Sequence, residues 1–302
     1  TVAASFIDYM IDDIISQFIK ARGLENTSAN RNAIDQELRT GGYLIYSTID
    51  PDVQSAMEDA VYNYDNYPKM RNSSDNVTTW TNSDGSVTET IQPQASAVVY
   101  DYKTGEIRGM IGGRTAPSGL KVLNRAVDSH MPIGSSIKPI AVYGPAIDSA
   151  GLGAGTIIQN IKGRVNGWDT AKGYPYEGSV DGPVTMRTAI QKSLNLSAAR
   201  TLMEMMGENP LDTSWAYLEK LGINMDPDYI KTTPAGLALG VSGISSLDLT
   251  VAYGAIGNAG EYISPTSFLR VEDANHNVLL DGKANQTHTQ VFQPSTAWML
   301  VD

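Results

Sequence analysis

Segments of helical and of strand periodicity are segregated along this 302-residue chain, and that segregation restricts the fold more than any other feature. Strands gather toward the two ends and helices lie between them, which predicts an α+β arrangement in place of alternating βαβ units. At the start, Phe6, Met10, Ile14, Ile15, Phe18 and Ile19 recur at the spacing of an amphipathic helix that stops at Gly23. Asp8, Asp12 and Asp13 exclude that helix as a membrane span. A second helix is predicted over 29–38, ahead of Gly41-Gly42. YLIYSTID alternates like a half-buried strand, and Asp50-Pro51 then supplies an N-cap and a first-turn proline for the helix in DPDVQSAMEDAVYNY. VTTW and VTETI flank Ser83-Asp84-Gly85 as a surface hairpin, with a domain border near Pro93. ASAVVYDY and EIRGMIGG read as two strands turning at Lys103-Thr104-Gly105, followed by a helix that begins near Ser135. One long helix is predicted over VTMRTAIQKSLNLSAARTLMEMMG, shorter ones over LDTSWAYLEKLG and 245–259, and YISPTSFLRVEDANHNVLL returns to strand alternation. The last residues, STAWMLVD, read as the opening of a helix that needs further turns, the expectation for a sequence cut inside a domain.

Composition removes several classes of function. With 41% hydrophobic residues the chain can bury a sizeable core, as one large domain or two modest ones. A formal net charge of -11 leaves no basic face to release counterions from a phosphate backbone, so nucleic acid is excluded as a partner. The absence of cysteine excludes a disulfide framework, a thiolate metal site and a cysteine nucleophile, and it suits a chain working outside the cytoplasm. No signal peptide or transmembrane run is visible. His130, His276 and His288 lack metal-ligand spacing, and no G-x-S-x-G elbow surrounds Ser135. Neither a metal nor a cofactor is expected.

The stretch GSSIKPIAVYGPAI carries the chemistry. Ser135 and Lys138 stand three residues apart, so on a helix they share a face. A serine hydroxyl needs a proton acceptor to become a nucleophile, and a lysine accepts only if its surroundings keep the amine neutral. Ile137, Ile140, Val142 and Ile147 would form the apolar wall that does so, and Pro139 fits because the helix has barely begun. Read alone, the pattern equally describes an N-cap serine with a solvated lysine. A second S-x-x-K, Ser118-Gly119-Leu120-Lys121, lies among Pro117 and Gly119 with no apolar helix behind it and is set aside on context. Ser193-Leu194-Asn195 places two polar residues amid Ile190, Leu194 and Leu196; these either break the helix locally or project into a site.

In this order, DYKTGEIRGMIGG, LNRAV, GSSIKP, SLN and LGVSGISSLDLTVAYGAIGNAGEYISPTSF resemble the transpeptidase domain of class A penicillin-binding proteins. GGYLIYSTIDPDVQSAMEDAV resembles the linker that precedes it in that family. The resemblance implies the penicillin-binding-protein and serine beta-lactamase-like fold, an antiparallel sheet with a helical subdomain. It assigns 1–92 to the linker region and 93–302 to the transpeptidase domain. It implies a serine D,D-transpeptidase, with Ser135 as the acylated nucleophile, Lys138 as its proton acceptor, and Ser193 and Asn195 as the relay and substrate-holding pair. Stem peptides ending in D-Ala-D-Ala would be donors, an amine of a neighbouring stem the acceptor, and beta-lactams would acylate the same serine. The parent would be membrane-anchored on the extracytoplasmic face, with a glycosyltransferase domain upstream. The family's K-T-G strand is expected after the S-x-N motif, yet none occurs in 197–302, so the remainder of the site is expected on a continuation or separate piece. The only K-T-G, Lys103-Thr104-Gly105, sits at a hairpin turn and reads as structural, and HMPIGSS departs from the family's usual P-G-S lead-in. Two other readings share these motifs. A beta-lactamase would need a deacylating carboxylate, for which Glu208 is the nearest candidate, and a catalytically silent domain would sense peptidoglycan or beta-lactams.

Overall fold

The computed structural model describes residues 3–81, 84–117, 122–168, 175, 181–223, 233–241 and 243–302. Helices mixed with small antiparallel sheets make it α+β, as the segregated periodicities predict. By internal contacts the chain divides into two compact units. Thr1–Asp101, Gly105–Ser129 and Pro265–Gln286 form the first; Tyr102–Thr104, His130–Ser264 and Thr287–Asp302 form the second. The rejected Ser118–Lys121 motif and part of the glycine-rich stretch 151–183 lie outside the described residues.

In the first unit the helix Ala4–Ala21 buries all six residues that set its period. Each contributes roughly 1.5–3 kcal/mol, far above the ~0–1 kcal/mol of a surface ion pair such as Arg22 with Glu37, so burial decides where this helix lies. Gly23 ends it at φ 63, where the N–H of Leu24 reaches the Ile19 carbonyl at 3.0 Å. The helix Ser28–Thr40 follows, capped by the Thr27 hydroxyl on the N–H of Asn30. The Asp50 carboxylate accepts from the N–H groups of Asp52 and Val53 and starts the helix Pro51–Tyr62. Both Ala4–Ala21 and Pro51–Tyr62 pack on the strand Glu106–Ile111, which pairs with Ala97–Asp101. Gln54, 2% exposed, donates to the Met110 carbonyl at 3.2 Å and accepts its N–H at 2.9 Å, so the buried carboxamide and the strand edge satisfy one another. A three-stranded sheet runs Leu44–Ser47, Phe268–Glu272, Val278–Asp281, with Phe268–Glu272 central. The hairpin anticipated around Asp84-Gly85 is formed by Val77–Thr81 and Val87–Ile91.

The second unit is mainly helical. Ile137, Ile140, Val142 and Tyr143 are fully buried, as are Leu196, Leu202, Leu218, Leu237 and Phe292. The long helix predicted over 184–207 is instead a short strand, Gly182–Thr185, and two helices, Met186–Gln191 and Asn195–Met205. Helices at Pro210–Lys220 and Ser246–Gly257 match their sequence signals, and Pro234–Leu239 and Pro294–Val301 are also helical. Among the described residues no helix is long and apolar enough to cross a membrane.

Candidate active site

The segment from Gly134 to Ala150 is not the regular helix its apolar spacing suggests. Gly134–Ile137 is a 3-10 turn, Pro139–Tyr143 a π turn, and only Gly144–Ala150 is α-helical. Two prolines impose this. In an α-helix the N–H of residue 139 would bond the Ser135 carbonyl; Pro139 has none, so the N–H of Lys138 takes that carbonyl and tightens the turn. Gly144 then closes the wider ring onto the Pro139 carbonyl. Pro145 leaves the Ala141 carbonyl equally without a helical donor, and the buried hydroxyl of Ser214 fills the vacancy at 2.5 Å. Positions i and i+3 eclipse in a 3-10 turn, so Ser135 and Lys138 still share a face.

The break in the long helix has its own cause. The N–H of Ser193 bonds the Ile190 carbonyl at 3.0 Å and that of Leu194 the Ala189 carbonyl at 2.9 Å, the paired bonds of a left-handed helix cap. The cap position is normally glycine, yet Ser193 occupies it at φ 52, a conformation costing an L-residue about 1–2 kcal/mol. Leu194, 1% exposed, anchors the cap, and Asn195 opens the next helix. Of the two sequence readings of S-L-N, the structure shows the local break of the helix.

That site centres on Lys138, which is 2% exposed. Its Nζ lies 2.7 Å from the Ser193 carbonyl oxygen, 3.2 Å from Ser193 Oγ and 2.6 Å from Asn195 Oδ1. All three are uncharged acceptors. Ser135 and Ser193 are exposed and Asn195 is half-buried.

Three further features of the site carried no signal in single residues. Gly134, at φ 58, and Gly240, at φ 66, approach backbone to backbone: the N–H of Gly134 donates to the Gly240 carbonyl at 3.0 Å, and a Cβ on Gly240 would stand 2.0 Å from the Gly134 oxygen. Met131 and Pro132 pair with Ile244 and Gly243, extending this seam ahead of Ser135. Tyr253 Oη donates to the Ser136 carbonyl at 2.7 Å and ties the 3-10 turn to the helix Ser246–Gly257. Long-range neighbours of this kind leave no local pattern. Lys103, at the turn, donates instead to Asn258 Oδ1 at 3.1 Å. Glu208 is exposed and lies two residues before the helix that Pro210 begins.

Comparison with known proteins gives a consistent result. The family model described as "Penicillin binding protein transpeptidase domain" matches residues 95–302. "Penicillin-binding protein 1A" of Clostridium acetobutylicum is 34% identical over 281 residues, which is 89% of this chain and 32% of that protein. Its namesake in Clostridium perfringens strain 13 is 30% identical over 94% of this chain and 41% of its own length. The chain thus spans roughly a third of the first of these relatives. The penicillin-binding protein PonA1 of Mycobacterium tuberculosis, at 20% identity, superimposes with a TM-score of 0.69 over 98% of this chain and 68% of its own, and shares the fold. It has also been solved in complex with penicillin V.

Proposed function

The chain belongs to the penicillin-binding protein transpeptidase family, and from that premise we propose that it carries the acylation site of a serine D,D-transpeptidase acting on peptidoglycan. Ser135 Oγ attacks the carbonyl carbon of the penultimate D-Ala of a donor stem, and Lys138, as the neutral amine, takes the hydroxyl proton. The proton passes by way of the Ser193 hydroxyl to the departing nitrogen as the C–N bond breaks and D-Ala leaves. The amine of a second stem then attacks the ester, its proton returns along the same route, and Ser135 is released as the cross-link forms. A beta-lactam acylates Ser135 by the same attack on its ring amide. Splitting one amide exchange into two ester steps lowers each barrier, and a positioned base contributes about 10²–10⁴-fold. The observation that carries this reading is the buried Lys138, one 3-10 turn beyond an exposed serine and bonded to both polar residues of S-L-N. Asn195 fixes the amine from one side and offers its carboxamide to the substrate amide.

The same reading makes 1–92 a linker region and 93–302 a transpeptidase part. The parent would face the extracytoplasmic side of the membrane, anchored elsewhere and joined to an upstream glycosyltransferase domain. The test is labelling of the intact protein with fluorescent penicillin and mapping of the adduct. A stable adduct on Ser135, lost in Ser135→Ala and formed at least about 100-fold more slowly in Lys138→Ala, is expected. Parental acylation by Lys138→Ala removes its role as base. Cross-linking of a D-Ala-D-Ala donor to an amine then separates an enzyme from a sensing domain, and rapid adduct turnover would reveal a beta-lactamase.

A further inference from the structure

The residues on either side of Ser135 are held from distant segments, while its own side chain is not. Ser135 is exposed, and among the described residues its hydroxyl has no hydrogen-bond partner, so its direction follows from the backbone that carries it. On one side the N–H of Gly134 donates to the Gly240 carbonyl at 3.0 Å. On the other the Ser136 carbonyl accepts from Tyr253 Oη at 2.7 Å. Ile137 and Lys138 are buried and need no further tether, whereas Ser136 is exposed. Among the described residues no second side chain bonds the backbone of Gly134–Ile137. A 3-10 turn has poorly aligned internal bonds and does little to hold its own shape. Tyr253 reaches it from a fixed element: the helix Ser246–Gly257 buries Leu247, Val251, Ala252, Ala255 and Ile256, and the Ser245 hydroxyl caps it on the N–H of Asp248 at 3.0 Å. The tyrosine ring, 38% exposed, is not what anchors that helix.

We propose that Tyr253 is a positioning residue for acylation, fixing the Ser136 carbonyl and so presenting Ser135 to the donor in one orientation. The inference rests on the acyl-enzyme reading above. Clamps at Gly134 and Ser136 leave the residue between them little freedom, which suits a nucleophile whose displacement by about 1 Å can cost ~100-fold in rate. In Tyr253→Phe the ring and its packing remain, and water can take the carbonyl of the exposed Ser136, so little stability is lost. The turn nevertheless gains orientations in which Ser135 does not face the donor, and only the covalent step depends on that orientation. The phenol moves no proton in this scheme; it acts through the backbone alone.

The test follows acylation of the intact protein by fluorescent penicillin at increasing concentration, which separates the first-order acylation constant from the dissociation constant of the complex that precedes it. Tyr253→Phe is expected to acylate about tenfold more slowly, with the dissociation constant and the pH profile of acylation both parental. Isotope labels on serine carbonyl carbon and isoleucine amide nitrogen select the Ser136–Ile137 peptide, the sole Ser-Ile pair in the sequence, and its carbonyl resonance should move upfield in the variant as the bond is lost. A parental acylation constant, a loss confined to the dissociation constant, a changed pH profile or an unmoved Ser136 resonance overturns the proposal. The two readings stay distinguishable. A parent protein that forms no adduct on Ser135 refutes the acyl-enzyme chemistry, whereas a parent that labels while Tyr253→Phe acylates at the same rate refutes the positioning role alone.

Discussion

Replacing Ser193 by glycine and by alanine separates two things that this residue does. Both variants lose the hydroxyl 3.2 Å from Lys138 Nζ, a bond whose net worth is about 1–3 kcal/mol when a buried amine is involved. Both keep the backbone carbonyl 2.7 Å from the same nitrogen. Only alanine retains a Cβ at φ 52, where the left-handed conformation costs about 1–2 kcal/mol. Glycine gives back part of that gain, about 0.5–1 kcal/mol, through the larger entropy of its unfolded chain. Ser193→Gly is therefore expected to be more stable than Ser193→Ala by about 0.5–1 kcal/mol, the reverse of the order found inside a regular helix. Paired thermal melts, read by helical circular dichroism, should place the glycine variant higher by about 1–3 °C. An alanine variant equal to or more stable than the glycine variant refutes the strained cap. Acylation by fluorescent penicillin is expected to fall in both, because neither can pass a proton; parental acylation by Ser193→Gly would remove the hydroxyl from the relay.

Gly240→Ala and Gly151→Ala form a second matched pair, since both positions have φ 66 but only Gly240 has a backbone atom 2.0 Å from the added Cβ. Gly151→Ala should cost about 1–2 kcal/mol and leave penicillin labelling intact, while Gly240→Ala should cost at least ~1 kcal/mol more and slow labelling by displacing the lead-in to Ser135; equal losses would show that the approach of Gly134 does not matter. Lys103→Ala should lower stability by about 1 kcal/mol, the scale of one part-buried hydrogen bond to Asn258, with acylation retained; a large loss of acylation would make the K-T-G at the turn functional. Asp13 accepts from Gln17 at 2.9 Å and Ser267 at 2.8 Å, yet burial outweighs both bonds and raises its carboxyl above 3.8. The folded state then holds this proton more tightly than the unfolded one, so stability falls as pH rises above 3.8 and through the raised value. Asp13→Asn lacks that slope, and the melting difference in its favour should widen from pH 4 to pH 7; a constant difference would contradict the assignment.

Much of the fold could be read because its determinants are local. The six apolar residues of the first helix, the Asp50-Pro51 start and the turns at Gly85 and Gly105 each act within a few residues, and each appears where its pattern falls. Ser135 and Lys138 could be singled out as candidates for the same reason, with S-L-N marked by polar residues in an apolar setting. Periodicity is blind to the sign of φ at a non-glycine residue, so Ser193 looked like the middle of one helix when it caps another. It also misjudged Pro139: its missing N–H produces a 3-10 and a π turn that keep the apolar spacing of an α-helix. Features that depend on distant segments left no trace, among them the Gly134–Gly240 seam, the Tyr253 tie and the Ser214 hydroxyl on Ala141. The recruitment of 265–286 into the first unit was equally hidden, since it depends on the pairing of Leu44–Ser47 with Phe268–Glu272.

That pairing also sets a timetable for synthesis. Leu44 leaves the ribosome long before its partner Glu272 exists, and at ~5–20 residues per second the interval is roughly 10–45 s. Throughout it the nascent first unit lacks the central strand of its three-stranded sheet, while every residue of the proposed acylation site is translated in between. The unit begun first thus waits through most of translation with an open strand edge in need of a chaperone's protection, until residue 272 has been made.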